Sequence, residues 1–150
     1  MRLLHTLTGV LTVVIFLGTG AYMRINGPAL FQSDPTVRMM FRSNHIYILL
    51  AGLINIGIGC YLVLSQHRRR RVLQLIGSSL LLVAPVVLIC AFFYEPSGKG
   101  FERHLTLVAM ILLLTGGMSH LLSTARRGNV GESGAKVVEQ SLARTAGASD

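Results

Sequence analysis

Four long apolar runs constrain this chain more than any other feature of its sequence. They cover approximately residues 3–23, 45–64, 72–94 and 105–123. Each run is close to the roughly 20 residues that a membrane-spanning helix needs. Because the bilayer core holds no water for unpaired backbone groups, each run must satisfy its own hydrogen bonds as a helix. The sequence therefore predicts an all-α integral membrane protein, a four-transmembrane-helix bundle in residues 1–123, followed by a disordered polar tail in residues 124–150.

Composition and charge point to the same class of protein. Hydrophobic residues make up 51% of the chain and charged residues only 13%, whereas soluble domains carry about 25% charged residues. The net charge of +8 is compatible with nucleic-acid binding, but the cations lie at the ends of the apolar runs and in short loops. Cations in those places meet lipid head groups. We therefore expect these positive side chains to contact the lipid bilayer and not nucleic acid.

The distribution of arginine predicts an orientation. Four consecutive arginines, Arg68 to Arg71, fill the very short loop after the second run, and Arg2 and Arg126 fall on the same side of the predicted bundle. Short arginine-rich loops stay in the cytoplasm. We therefore expect a protein of a bacterial-type inner membrane with both termini in the cytoplasm.

The first run, residues 3–23, has two interpretations. Arg2, the apolar run and the small residues that end at Ala21 together fit a signal peptide cut after Ala21. The run is longer than a usual signal core, however, and one face carries small and hydroxyl residues such as Thr8 and Gly9. Such a face lets membrane helices approach each other closely. A retained membrane anchor is the preferred interpretation.

The connection between the first two runs carries turn and helix signals. Residues 26–28, Asn-Gly-Pro, predict a turn. Asp34 suits an N-cap and Pro35 suits a first helical turn. The sequence therefore predicts a short interfacial helix at about residues 35–44 before the second span.

Residues inside the runs predict how the helices pack. Asn55 lies near the middle of the second run, where an amide should form a hydrogen bond with another helix. Pro85 removes a backbone donor and frees the carbonyl of Leu81, which predicts a kink. Cys60 and Cys90 are not in a CxxC arrangement, and we expect buried small hydrophobes instead of a disulfide or metal pair.

Polar residues concentrate where the second and fourth runs begin, at the predicted outer face. The set comprises Arg38, Arg42, Asn44, His45, Glu95, Glu102, Arg103 and His104. Arg38, Arg42 and His45 recur at helical spacing and so share one helix face. We predict a binding site around Arg38, Arg42, His45 and His104, and a small non-catalytic binding or accessory protein. Its ligand would be a lipid head group, a quinone, a membrane-protein partner or another copy of this chain.

A weak internal repeat suggests a specific cofactor as an alternative. Residues 41–45 resemble residues 101–104 where the two runs open, as expected for two duplicated helical hairpins. His45 and His104 would then face each other and could supply both axial ligands of a b-type haem in an electron-transfer protein. The residues that would meet the haem propionates are Arg38, Arg42 and Arg103.

Two further alternatives use other residues. His5 and His120 form a second pair near the inner face, so a two-haem path across the membrane can be drawn. A membrane enzyme that acts on lipid head groups would use Glu95 or Glu102 as acid or base. No Asp or Glu lies within a predicted span, which argues against both a membrane enzyme and a proton-coupled transporter.

Overall fold

The computed structural model describes residues 1–31, 34–62, 67–97 and 103–123, and these residues are helical almost throughout. The helices are α1 (Arg2–Phe31), α2 (Pro35–Tyr61), α3 (Arg68–Tyr94), a short 3₁₀ helix (Glu95–Ser97) and α4 (His104–Ser123). Each of the four α-helices is long and apolar enough to cross a membrane. The all-helical architecture with four long apolar helices is therefore confirmed. The predicted tail, residues 124–150, and Glu102 lie outside the described residues.

Helix α2 is longer than the predicted second span. Asp34 caps it, because its carboxylate accepts the backbone N–H of Thr36 at 2.7 Å, and Pro35 occupies the first turn. No break separates the predicted interfacial helix at residues 35–44 from the span that follows. The two form one continuous helix because no proline or glycine interrupts residues 36–51.

The turn predicted at residues 26–28 is wrong, because α1 continues to Phe31. Asn26 does not bend the chain; its side-chain amide donates instead to the carbonyl of Tyr22, 3.1 Å away and one helical turn back. The helix therefore passes through a sequence that is typical of a turn.

Neighbouring helices run antiparallel and approach closely at glycine. Gly9 of α1 packs against Gly52 and Ile56 of α2, where an added Cβ would lie 2.8 Å from the Gly52 carbonyl oxygen. Gly77 of α3 packs against Gly116 of α4, and a Cβ on Gly77 would lie 3.0 Å from the Gly116 carbonyl oxygen. The prediction that the small residues of α1 serve close packing is confirmed at Gly9.

The core lies between α2, α3 and α4, and large apolar side chains also cover the outside of the bundle. The core residues are Phe41, Ile48, Ala51, Leu81, Ala84, Leu88, Phe92, Ala109 and Leu113. Exposed side chains include Leu3 at 70%, Ile25 at 77% and Leu114 at 68% of their full surface. Cys60 and Cys90 also lie on the outside as free thiols, so the prediction that they are buried is wrong. Their helix faces point away from the neighbouring helices.

The two ends of the bundle have different polar groups. We call the end that holds Pro35 and Glu95 the outer end, and the end that holds Arg2 and Arg68 the inner end. Each end places one cluster of buried polar side chains between helices that are otherwise joined by apolar contacts. These clusters are the natural candidates for functional sites, because buried polar groups are costly in an apolar bundle.

Candidate functional site

The outer end holds a buried polar cluster that joins three helices. We define the outer cluster as Asn44 of α2, Glu95 after α3, and Arg103 and Thr106 at the start of α4. Asn44, Glu95 and Thr106 are buried, and the Arg103 side chain is 22% exposed. Asn44 is 51 residues before Glu95 in the sequence, and the packing of α2 against α3 and α4 brings it to the other three residues.

Glu95 holds the beginning of α4. One carboxylate oxygen, Oε1, accepts the backbone N–H of Thr106 at 2.8 Å, and the other, Oε2, accepts the side-chain amide of Asn44 at 3.2 Å. The Thr106 hydroxyl also lies within hydrogen-bond distance of Oε2. The first backbone N–H groups of a helix lack partners within the helix and attract negative charge. Glu95 therefore acts as a cap for α4 from across the loop.

Asn44 connects the carboxylate to its surroundings. Its amide nitrogen also donates to the Ala91 carbonyl at 3.2 Å, so it fixes the end of α3. Its amide oxygen accepts from Arg103 Nη2 at 2.7 Å and lies 2.9 Å from the Thr106 hydroxyl. Every donor and acceptor of this side chain is used, which makes Asn44 the structural centre of the outer cluster.

Arg103 is the least satisfied member of the outer cluster. Its Nη2 donates to the Ser43 hydroxyl at 2.8 Å as well as to Asn44, and its guanidinium carbon lies 5.9 Å from the centre of the Tyr47 ring. Its Nε lies 4.0 Å from Glu95 Oε2, which is too long for a hydrogen bond. Among the described residues, no acceptor is within hydrogen-bond distance of this buried Nε. Arg103 therefore keeps an unused donor on a guanidinium that reaches the surface.

The predicted site residues do not all join this cluster. His45 is turned toward α1, where its ring stacks on Phe16 with centroids 4.0 Å apart and its Nδ1 lies 2.9 Å from the Thr19 hydroxyl. His104 lies on an exposed part of α4. Arg38 and Arg42 are exposed on the outer turns of α2. Of the five predicted residues, Arg103 alone belongs to the outer cluster.

The inner end holds a second polar cluster, which we define as His5, Asn55, Ser78 and His120. Asn55 is fully buried, and its amide nitrogen donates to the carbonyls of Ala51 and Leu81, each at 2.9 Å. The predicted bond from Asn55 to another helix is therefore observed. Its acceptor on α3 is the carbonyl that Pro85 leaves without a helical donor.

Two histidines meet beside Asn55. His5 of α1 is fully buried, and its Nδ1 lies 2.8 Å from the Asn55 amide oxygen. His120 of α4 is 8% exposed, and its Nε2 lies 3.2 Å from the Ser78 hydroxyl. The two imidazole centroids are 6.4 Å apart and the rings are nearly perpendicular, at 86°. The histidine pair that the helices bring together is thus His5 and His120.

No protein-family model, curated protein or solved structure matches this chain. The two clusters are therefore defined by geometry alone. The sequence places Asn44 and Glu95 in the outer polar region but identifies neither as its centre, and it assigns Thr106 no polar role. The one signal for Glu95 was that it is the first acid after a predicted span, since negative charge is favourable near the beginning of a helix.

Proposed function

We propose that this chain is an integral protein of a bacterial-type inner membrane, with the inner end of the bundle and both termini on the cytoplasmic side. Four helices of sufficient length and the apolar side chains that cover their outer faces support this proposal. A surface with so many exposed large hydrophobes is unfavourable in water and favourable in lipid. The exposed arginines Arg68, Arg69 and Arg71 at the inner end support the orientation.

Cysteine labelling tests both the membrane position and the orientation. In a background with Cys60→Ser and Cys90→Ser, we expect Arg24→Cys to react with a membrane-impermeant maleimide in intact spheroplasts. Arg69→Cys should react only after the membrane is permeabilised, because it lies at the opposite end of the bundle. The reverse pattern would show that the termini are outside, and loss of the protein from the membrane on carbonate extraction would contradict an integral protein.

We further propose that the protein is a non-catalytic binding or accessory subunit whose outer cluster holds an anionic lipid head group. The observation that carries this proposal is the unused buried Nε–H of Arg103 on a partly exposed guanidinium. A phosphate oxygen is a strong acceptor for such a donor, whereas Nη2 already donates to Ser43 and Asn44. A membrane-protein partner or a second copy of the chain would then assemble around the same outer end.

The charge around Arg103 also favours a phosphate. Arg24 and Arg42 are exposed near the outer ends of α1 and α2, whereas Glu95 is buried and engaged by Asn44 and Thr106. The charge that the outer end offers to the head-group region is therefore mainly positive. Partly exposed cations at this depth attract anionic lipids.

Native mass spectrometry with added lipid tests this site. We expect the detergent-purified protein to bind phosphatidylglycerol in preference to phosphatidylcholine. Arg103→Gln should weaken phosphatidylglycerol binding by about ten- to a hundredfold, since a charge-assisted hydrogen bond contributes roughly 1.5–3 kcal/mol. Phosphatidylglycerol binding by Arg103→Lys should lie between that of wild type and that of Arg103→Gln, because lysine keeps the positive charge but lacks the planar guanidinium group.

Arg69→Gln is the matched control, because it removes the same charge at the inner end. It should leave binding close to the wild-type value, and inorganic phosphate should not replace the lipid. Equal binding by wild type and Arg103→Gln, in protein that unfolds at an unchanged temperature, would refute a site at Arg103. If Arg69→Gln weakened phosphatidylglycerol binding more than Arg103→Gln, the lipid site would be at the inner end instead.

A further inference from the structure

His45 presents an unused ring nitrogen at the contact between α1 and α2. Its Nδ1 lies 2.9 Å from the Thr19 hydroxyl and its ring stacks on Phe16, whereas its Nε2 has no hydrogen-bond partner among the described residues. His45 is only partly buried, and its Nε2, unlike that of His5, is not closed off by neighbouring atoms. A molecule that comes from outside the bundle can therefore reach this nitrogen.

The Thr19 hydroxyl determines the tautomer of His45. The hydroxyl has a single hydrogen, and the Phe16 carbonyl, 2.8 Å away, can only accept it. Both contacts of the hydroxyl are therefore hydrogen bonds only if His45 donates from Nδ1 to the hydroxyl oxygen. The neutral ring then carries its lone pair at Nε2. This atom is an acceptor whose direction is fixed by the bond to Thr19 and by the stacking on Phe16.

Gly20 leaves the Nε2 edge of the ring open. A Cβ on residue 20 would lie 3.2 Å from His45 Cε1 and 3.6 Å from His45 Nε2, so a larger side chain there would cover this edge. Glycine is the residue that lets a ligand approach the backbone closely. Gly20 is itself partly exposed, and Leu17 and Ile46, close by in sequence on the same two helices, are exposed apolar side chains. The open edge therefore lies at the apolar outside of the bundle.

The charge around His45 disfavours a cationic ligand. Arg24 lies one helical turn beyond Gly20 on α1, and Arg42 is three residues before His45 on α2; both are exposed. The buried carboxylate of Glu95 belongs to the outer cluster on another face of α2. A lipid ammonium group at His45 would therefore meet two like charges, which is unfavourable in an apolar medium. A neutral donor is the better ligand for the lone pair.

A quinol combines the properties that this place requires. Its phenolic hydroxyl is a neutral donor and a stronger one than the alcohol groups of a lipid, its flat ring can lie against the backbone at Gly20, and its apolar tail can remain in lipid. We propose that His45 Nε2 accepts a hydrogen bond from a membrane-borne quinol. Because the oxidised quinone offers only acceptors, the fixed tautomer selects the quinol over the quinone. The proposal rests on the membrane position given above, but not on the lipid site at Arg103.

Separate titrations with decylubiquinol and decylubiquinone test the site. Each compound is added to the detergent-purified full chain under anaerobic conditions, and the bound fraction is measured by native mass spectrometry. We expect the quinol to bind about two- to tenfold more tightly than the quinone, the effect of one hydrogen bond between neutral groups. His45→Phe, which keeps a ring on Phe16, should lower quinol binding to the level of the quinone. His104→Phe, at an exposed position of α4, is the matched control and should keep the preference.

Two further variants separate ligand binding from folding. Thr19→Val leaves the imidazole in place but removes the acceptor of its Nδ1–H, so both tautomers become available and the preference for quinol over quinone should fall toward one. A purely structural role for Thr19 would leave that ratio unchanged. Gly20→Ala should weaken binding of the quinol by narrowing the approach to Nε2, whereas Gly18→Ala should not, because no heavy atom lies within 4 Å of a Cβ there.

Three results would overturn the proposal. They are equal binding of quinol and quinone by the wild type, an unchanged preference in His45→Phe, and displacement of the quinol by phosphatidylglycerol, which would assign His45 to a lipid hydroxyl. Arg103→Gln should keep the quinol preference. Loss of phosphatidylglycerol binding in that variant would therefore leave the quinol result intact, and the two proposals can fail separately.

Discussion

Replacing Gly9 with alanine is expected to destabilise the α1–α2 hairpin by about 2–3 kcal/mol, because an overpacked contact with backbone cannot relax by moving a side chain. A Cβ at this position would lie 2.7 Å from the backbone nitrogen of Ile56 and 2.8 Å from the carbonyl oxygen of Gly52. The two helices would have to separate along their whole contact. Unfolding in a mixed detergent titration with sodium dodecyl sulfate measures the loss.

Gly18 supplies the matched control on the same helix. No heavy atom lies within 4 Å of a Cβ built on Gly18, so Gly18→Ala meets open space and removes the helix penalty of glycine. The free energy of unfolding should stay constant or rise by up to about 1 kcal/mol. Equal losses in Gly9→Ala and Gly18→Ala would mean that close packing at Gly9 is not what holds α1 to α2.

Replacing Asn55 with leucine should cost about 2–4 kcal/mol, although the side-chain volume is nearly kept. The change removes the hydrogen-bond partners that Asn55 gives to the Leu81 carbonyl and to His5 Nδ1. Each buried group left unsatisfied costs roughly 1–3 kcal/mol, although bonds between membrane helices contribute less on average. The same titration with sodium dodecyl sulfate measures the change in the free energy of unfolding.

Pro85→Ala is the partner in a double-mutant cycle with Asn55→Leu. Alanine at position 85 restores a backbone N–H that can donate to the Leu81 carbonyl, so that carbonyl no longer depends on Asn55. We expect Asn55→Leu to cost about 1–2 kcal/mol less in the Pro85→Ala background than in the wild type. Additive effects would show that Asn55 does not compensate for the proline.

The sequence predicts the helices well because their signals are strong and local. Apolar length defines the four spans, and Asp34 with Pro35 defines the beginning of α2. The prediction failed at residues 26–28, where short-range turn signals compete with a helix that is already long. Once a helix has formed, each further residue generally adds one backbone hydrogen bond, so extending the helix costs little free energy. A turn at the same place would need stabilising contacts of its own.

The site was harder to predict because neighbouring residues on a helix point about 100° apart. Asn44 and His45 are adjacent, yet Asn44 faces α3 and α4 while His45 faces α1. A pattern of polar residues at helical spacing identifies a face but not the neighbour that the face contacts. Glu95 contacts α4 from the end of α3, and no periodic pattern in the sequence predicts that contact.

The continuous helix α2 determines how a molecule can reach Arg103. Asn44 is level with Ala91 and Glu95 at the end of α3, so the nine residues before it, Pro35 to Ser43, extend about 13 Å beyond that level. These turns of α2 therefore extend past the outer cluster on the α2 side. If Arg103 holds a lipid head group, as proposed, the lipid reaches it by diffusion within its leaflet, and the rate of binding should follow the mole fraction of that lipid in the bilayer instead of its aqueous concentration.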